Sequence, residues 1–148
     1  MFLLDTSVWI AQTFDSHPGH AAASGALALA THEQPAVFCR ATQQSFLRLA
    51  STPTVLQLYG CTGLTNDDAL TMLQRLMALS SVAYRDEPEG LVPLWHRFAG
   101  RKTASPKVWM DAYIAAFAVA GGLILITLDA DFRQFEPAGL KLQLLKVS

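Results

Sequence analysis

The chain is short of charged residues, short of cysteine and without an apolar run of membrane-spanning length, and each shortage removes a class of protein. Charged side chains make up 16% of the 148 residues, against about 25% in an ordinary soluble domain. Eleven Lys and Arg against twelve Asp and Glu leave a formal net charge of −1. That balance excludes a nucleic-acid binder of the histone or ribosomal type, which works through bulk positive charge. It does not exclude a nuclease, because a bound metal ion can supply much of the attraction for phosphate. The only two cysteines, Cys39 and Cys61, stand at no metal-ligand spacing, and Cys39 in the apolar run AVFC reads as a buried thiol. No apolar stretch reaches the ~18 residues of a membrane span. The first residues carry no cationic segment before Asp5, so no signal peptide is expected, and the reading is a soluble cytoplasmic protein with no membrane association. Gly121-Gly122 precedes an apolar run instead of following one, which makes it a helix cap and not a dinucleotide-binding loop.

What is present is apolar mass. Hydrophobic residues reach 51%, which rules out disorder. A chain of this length buries roughly 70% of its unfolded surface in one core, so residues 1–148 are expected to form a single domain. Surplus apolar surface suits a sheet covered on both faces, or a subunit that hides part of itself against another copy. A homodimer is therefore expected, with Trp9 and Trp95 as contributors to a dimer or partner contact.

Along the chain, residues 1–4 read as a strand and Thr6-Ser7 opens a helix through Val8, Trp9 and Ile10. A second helix is expected from Pro18 to about Thr31, capped by Asp15 or Ser16. AVFC (36–39) is the next strand, ATQQSFLRLAS the next helix, and Pro53 is expected to end it. Residues 51–64 read as a loop. Thr65-Asn66-Asp67-Asp68 starts a helix with acids well placed at its N-terminus. SVAY (81–84) is a strand, Pro88 starts a further helix, and Ser105-Pro106 is the clearest helix start of all. Gly121-Gly122 ends that helix, LILIT (123–127) is a fully buried parallel strand, and LQLLK (142–146) is the last. The alternation predicts an α/β fold, a three-layer α/β/α sandwich with a mainly parallel central sheet.

Three acids fall where such a fold would gather them: Asp5 after MFLL, Asp129 after LILITL, and Asp111 inside a helix rich in apolar residues. In open parallel sheets, functional groups collect outside the carboxyl ends of the strands. Each acid alone has an ordinary explanation: a helix cap for Asp5, a solvated helix position for Asp111, a turn for Asp129. Together they would repel one another without a cation, and oxygen-only ligands select Mg²⁺ or Mn²⁺ over zinc. His17 and His20 lack a third ligand and read as surface residues. Arg101, Lys102 and Lys107 form the only basic cluster, with Arg40, Arg48 and Arg97 scattered elsewhere.

The segments LLDTSVWI, SPKVWMDAYIAAFA and ITLDADFRQF, with CRATQQSFLRLAST and STPTVLQLYG between them, resemble the PIN domain family, and within it the VapC toxins of bacterial toxin–antitoxin pairs. The resemblance runs over nearly the whole chain, with the motifs in order. It implies a PIN-like fold and a metal-dependent endoribonuclease that hydrolyses RNA phosphodiester bonds with a metal-activated water and is silenced by a VapB-like antitoxin. Catalytic and metal-binding roles would fall to Asp5, Asp111 and Asp129, with Thr6 or Ser7 supplying a nearby hydroxyl and Asp131 support. Arg101, Lys102 and Lys107 would contact the RNA backbone. Relatives carry a fourth acid, a glutamate, at the start of the third helix, where this chain offers Gln43. A glutamine brings no charge and cannot act as a base. The alternative is therefore a weakened or inactive PIN-like module that binds RNA or protein. Phosphatase and receiver-domain readings fail, because Asp5-Thr6-Ser7 lacks their second acid.

Overall fold

A computed structural model describes residues 1–147. Strands β1 (Phe2–Leu4), β2 (Ala36–Phe38), β3 (Val82–Tyr84), β4 (Ile124–Thr127) and β5 (Leu142–Leu144) form one sheet. Their order is β3-β2-β1-β4-β5 and every pair is parallel. The helices are α1 (Thr6–Thr13), α2 (His20–Ala28), α3 (Arg40–Ala50), α4 (Pro53–Leu58), α5 (Asn66–Met77), α6 (Leu91–Ala99) and α7 (Val108–Gly121), with a 3₁₀ helix at Ala130–Ala138.

Strand periodicity divides the core between the two faces of the sheet. Leu4, Phe38 and Ile126 face a cluster built from α1 to α5, including Val8, Trp9, Phe46, Leu56 and Leu73. Leu3, Val37 and Leu125 face the other side, where Leu91, Phe98, Phe117, Phe132 and Phe135 pack. Each such side chain contributes about 1.5–3 kcal/mol when fully buried. Two apolar layers on one sheet give the three-layer α/β/α sandwich. The strand order reverses between β1 and β4, so the crevice of the fold opens beyond the carboxyl ends of these two strands.

Several boundaries depart from expectation. Pro53 does not merely end α3: it occupies the first turn of α4 inside the segment expected to be loop. Its fixed φ stops the preceding helix and suits the start of the next, and Leu56, 1% exposed, anchors that turn in the core. Helix α2 starts at His20 after Gly19, with no side-chain cap. Ser16 instead donates to the Tyr59 carbonyl at 2.9 Å. Helix α6 begins three residues after Pro88, behind Gly90 at φ +83°. Helix α7 begins at Val108, and the Ser105 hydroxyl pairs with Thr103 instead of capping. The 3₁₀ helix after β4 was not anticipated. It spans Pro137, which lacks the N–H a continuous α-helix requires there.

Two side-chain expectations are corrected. Trp9 cannot serve a dimer or partner contact, because it is wholly buried and stacks on Phe38 with centroids 3.8 Å apart. His17 and His20 are half-buried, not surface residues: His17 lies 5.0 Å from the Tyr59 ring and His20 Nδ1 sits 2.9 Å from the Ala11 carbonyl. Cys39 is a buried thiol at the N-terminus of α3.

Candidate active site

Asp5 ends β1 and begins α1. Its backbone is extended, its N–H donates to the Ile126 carbonyl at 2.9 Å, and Oδ1 accepts from the Thr6 N–H at 2.8 Å. The other carboxylate oxygen accepts from Ser7 Oγ at 3.0 Å and from Thr127 Oγ1 at 2.8 Å. Thr127 is the last residue of β4 and fully buried, and its hydroxyl also accepts from the Asp129 N–H at 3.0 Å. Ser7 Oγ in turn accepts from the Leu128 N–H at 3.3 Å. The two strand ends are thus tied by hydroxyls that hold Asp5 in one orientation. Burial nonetheless pushes the Asp5 carboxyl above its ordinary pKa, against those three hydrogen bonds, and the Asp129 charge adds to the rise.

Asp111 lies in the first turn of α7. A helix N-terminus favours an anion there, yet its pKa is pushed up to about 6 by burial and then by the charges of Asp129, Asp5 and Asp131. Asp129 caps the 3₁₀ helix, accepting from the Asp131 N–H at 2.9 Å, and Asp131 is exposed at its first turn. Asp5, Asp111, Asp129 and Asp131 therefore form one field of negative charge at the switch point of the sheet.

A small cleft of about 190 Å³ lies over Asp5 and Asp111, with Thr6, Ala41, Ser45, Arg48 and Met110 among its walls. Of the expected hydroxyls, Ser7 holds Asp5 through its side chain, while Thr6 does so through its backbone and lines the cleft. Gln43 is not part of this cleft. Its carbonyl oxygen accepts from Arg40 Nη1 at 2.5 Å and its amide faces Met77 Sδ at 3.7 Å, beneath α5. The α3 residues that do reach the cleft are Ala41, Ser45, Arg48 and Leu49. Arg101, Lys102 and Lys107 lie on the segment between α6 and α7 and do not line it. Arg101 is held by the Phe98 carbonyl at 2.8 Å and Gln134 Oε1 at 2.9 Å.

Three contributors escaped the sequence reading. Thr127 could have been noticed as the one polar residue closing LILIT. Ser45 and Arg48 follow Ala41 at helical spacing, on a stripe distinct from the buried Phe46 and Ala50. Arg48 is exposed and has no ion-pair partner among the described residues.

The donor set suits a hard divalent cation, since its acids are all carboxylates, and burial with the neighbouring acids holds Asp5 and Asp111 above their ordinary pKa. No group of three or more His, Cys, Asp or Glu among the described residues converges on one ion position. The expected set of Asp5, Asp111 and Asp129 is thus not brought together around one position, and the two acids that share the cleft are Asp5 and Asp111. A Mg²⁺-type ion takes one or two carboxylates, with water or substrate phosphate in its other positions. No helix among the described residues is long and apolar enough to cross a membrane.

Known proteins resemble this chain in sequence and in fold. The chain is 43% identical, over 98% of its length and 99% of the relative's, to Ribonuclease VapC41 from two strains of Mycobacterium tuberculosis. Its backbone superposes on VapBC2 of Rickettsia felis, solved with a DNA fragment from their promoter, with a TM-score of 0.65 at 13% identity over 98% of both chains. VapBC-1 of nontypeable Haemophilus influenzae gives 0.66 at 17% identity, covering 97% of this chain and 96% of that one. VapC20 of Mycobacterium tuberculosis, a toxin cleaving the sarcin-ricin loop, gives 0.63 at 17% identity, covering 95% and 96%. At such low identities these structures speak for the fold alone. The PIN domain model matches residues 2–136. With that match and a relative aligned almost end to end, the chain belongs to the PIN domain family, on its VapC branch.

Proposed function

We propose that this protein is an endoribonuclease, the toxin of a toxin–antitoxin pair, that hydrolyses RNA phosphodiester bonds in the cytoplasm with Mg²⁺ or Mn²⁺ as cofactor. The observation that carries the reading is the concentration of Asp5, Asp111, Asp129 and Asp131 at the sheet's switch point, two of them lining one cleft. The 43% identity to Ribonuclease VapC41 supports the same activity, and the VapBC neighbours support a VapB-like antitoxin as protein partner. Residues 1–148 act as a single PIN-like domain, paired with a second copy.

Asp5 and Asp111 face the cleft and are the residues that would hold the ion, with Asp129 and Asp131 completing the negative field. When bound, the ion supplies a more acidic water and charge compensation at the scissile phosphate. Ser7 and Thr127 fix the Asp5 carboxylate, so its position costs no reorganisation during the reaction. Asp129, anchored through its own N–H to Thr127, would orient the attacking water. Arg48, on the cleft wall and free of an ion-pair partner among the described residues, clamps a phosphate oxygen. Arg101, Lys102 and Lys107 are assigned to RNA backbone beyond the cleft.

The test is cleavage of total cellular RNA by the purified protein. Discrete fragments are expected with Mg²⁺ or Mn²⁺ and none with a chelator. Absence of fragments in both metals, together with no calorimetric heat of Mn²⁺ binding, would transfer the assignment to a non-catalytic RNA- or protein-binding module.

A further inference from the structure

Beside the carboxylate cleft runs a second groove of about 480 Å³, and its character is aromatic. Ala41, Ser45, Arg48 and Met110 belong to both, so the two are continuous across one shared wall. Trp109 and Met110, at the start of α7, are 52% and 53% exposed, although residues of this size are normally buried at least in greater part. Trp95 on α6 donates Nε1–H to the Trp109 carbonyl at 2.9 Å, which fixes its ring. Its plane stands at 76° to Trp109 and 88° to Tyr113, with centroids 6.3 and 5.5 Å away. The three rings make an aromatic corner next to the cleft.

We propose that this corner is a nucleobase subsite, in which Trp109 stacks an unpaired base of the RNA adjoining the scissile phosphate and so sets sequence preference. This rests on the ribonuclease reading above. Sequence-specific RNA recognition works chiefly on unstacked bases laid against aromatic faces and read along their polar edges. The groove offers both parts: the rings, and on α3 the exposed Gln44 amide and the Ser45 hydroxyl, which can donate and accept at a base edge. Continuity selects RNA over an apolar peptide or a second copy. A phosphate bound over Asp5 and Asp111 places its neighbouring nucleotide along the cleft wall, and the aromatic groove is that wall. Arg48, without an ion-pair partner among the described residues, lies on the shared stretch and complements the phosphate between the two sites.

The experiment uses the whole protein and a randomised pool of short single-stranded RNA, with cut ends read by sequencing and binding followed by anisotropy. A ribose-phosphate chain lacking bases serves as the control. The wild type is expected to show a base preference at one position flanking the cut and to bind RNA more tightly than the abasic chain. Trp109→Ala should flatten that preference and weaken RNA binding roughly 5- to 100-fold, leaving abasic binding unchanged. Trp109→Phe, which keeps a stacking face, should retain both properties. The Trp95 hydrogen bond goes to a backbone carbonyl and survives either change. Equal affinity of the wild type for RNA and abasic chain would overturn the subsite, as would a Trp109→Ala variant with its base preference intact. A dimer that becomes monomeric on Trp109→Ala with preference unchanged would overturn it in favour of a contact between copies. If the wild type cuts no RNA, the ribonuclease reading fails separately, and the binding comparison still decides the subsite.

Discussion

Asp5 and Asp111 face the same cleft, and both carboxyls are held above their ordinary pKa, but for different reasons. Asp5 sits between two strand ends with three donors directed at it from Thr6, Ser7 and Thr127. Its rise comes chiefly from burial and persists despite those bonds. Asp111 stands on a helix surface, and after burial its rise comes from three neighbouring acids, with no hydrogen bond lowering it. One residue is a fixed anchor and the other a repelled group awaiting a counter-charge. The difference teaches that the two carboxyls are strained in different ways, Asp5 by burial between strand ends and Asp111 by burial together with the neighbouring acids.

The largest effect should come from the anchor. Asp5→Asn keeps the shape of the side chain and removes its charge, and it should cut RNA cleavage and cellular toxicity by about 10³-fold or more, since metal assistance supplies several kcal/mol. Far-UV circular dichroism should be unchanged. A variant cleaving at the wild-type rate would remove Asp5 from the site.

Asp111→Asn should lose cleavage to a similar degree and yet raise the melting temperature of the metal-free protein at pH 7.5. The folded carboxyl titrates near 6, against 3.8 for an unperturbed one. Between those values the folded state binds more protons than the unfolded state, so the contribution of Asp111 to stability falls as pH rises through this window. Above it the penalty is complete, and a neutral asparagine escapes it. Calorimetric scans of both proteins at pH 4 and 7.5, without metal, should show the difference at the higher pH only. An equal or lower melting temperature for the variant at pH 7.5 would contradict the repulsion.

Thr127→Val and Ser7→Ala strip the hydroxyls from Asp5 without touching Asp111. Such supporting contacts are typically worth 10–100-fold in metal affinity or activity, and titration of Mn²⁺ against cleavage rate should show a loss of that order for Thr127→Val. Arg48→Ala should act on the substrate instead: KM for a short RNA rises, kcat changes less, and the dependence of binding on salt becomes shallower by one phosphate contact. The smallest effect is expected from Gln43→Glu. That side chain pairs with Arg40 and Met77 away from the cleft, so restoring an acid there should leave cleavage essentially unchanged. A marked gain in rate would place position 43 in the site after all.

Much of this was legible beforehand because it follows from local pattern. Asp5 and Asp129 could be located from apolar runs that end in an acid, since strand ends dictate where such groups emerge. The middle of the chain was less legible. Pro53 was read as a stop and proved also to be a start, because the same fixed φ does both. The reading of Gln43 as the missing acid rested on its place in α3. Which residues of that helix face Asp5 depends on its rotation about its own axis, and this is set by Phe46 and Ala50 packing under the sheet. The rotation turns Ser45 and Arg48 to the cleft and Gln43 towards α5. Arg48 was one cation among several in the sequence, and Arg101 appeared the better candidate only because charges cluster around it.

By itself, then, the sequence determined the α/β alternation, the acids at the strand ends and the family, since all three are carried by residues near one another along the chain. The tertiary structure alone decided that Thr127 supports Asp5 from 122 positions away. It also decided that Arg48 shares a wall with Asp111 and that three aromatic rings from α6 and α7 stand beside them. Those relations depend on strand order and helix rotation. Both are fixed by how the two apolar layers close on the sheet, which no local pattern encodes.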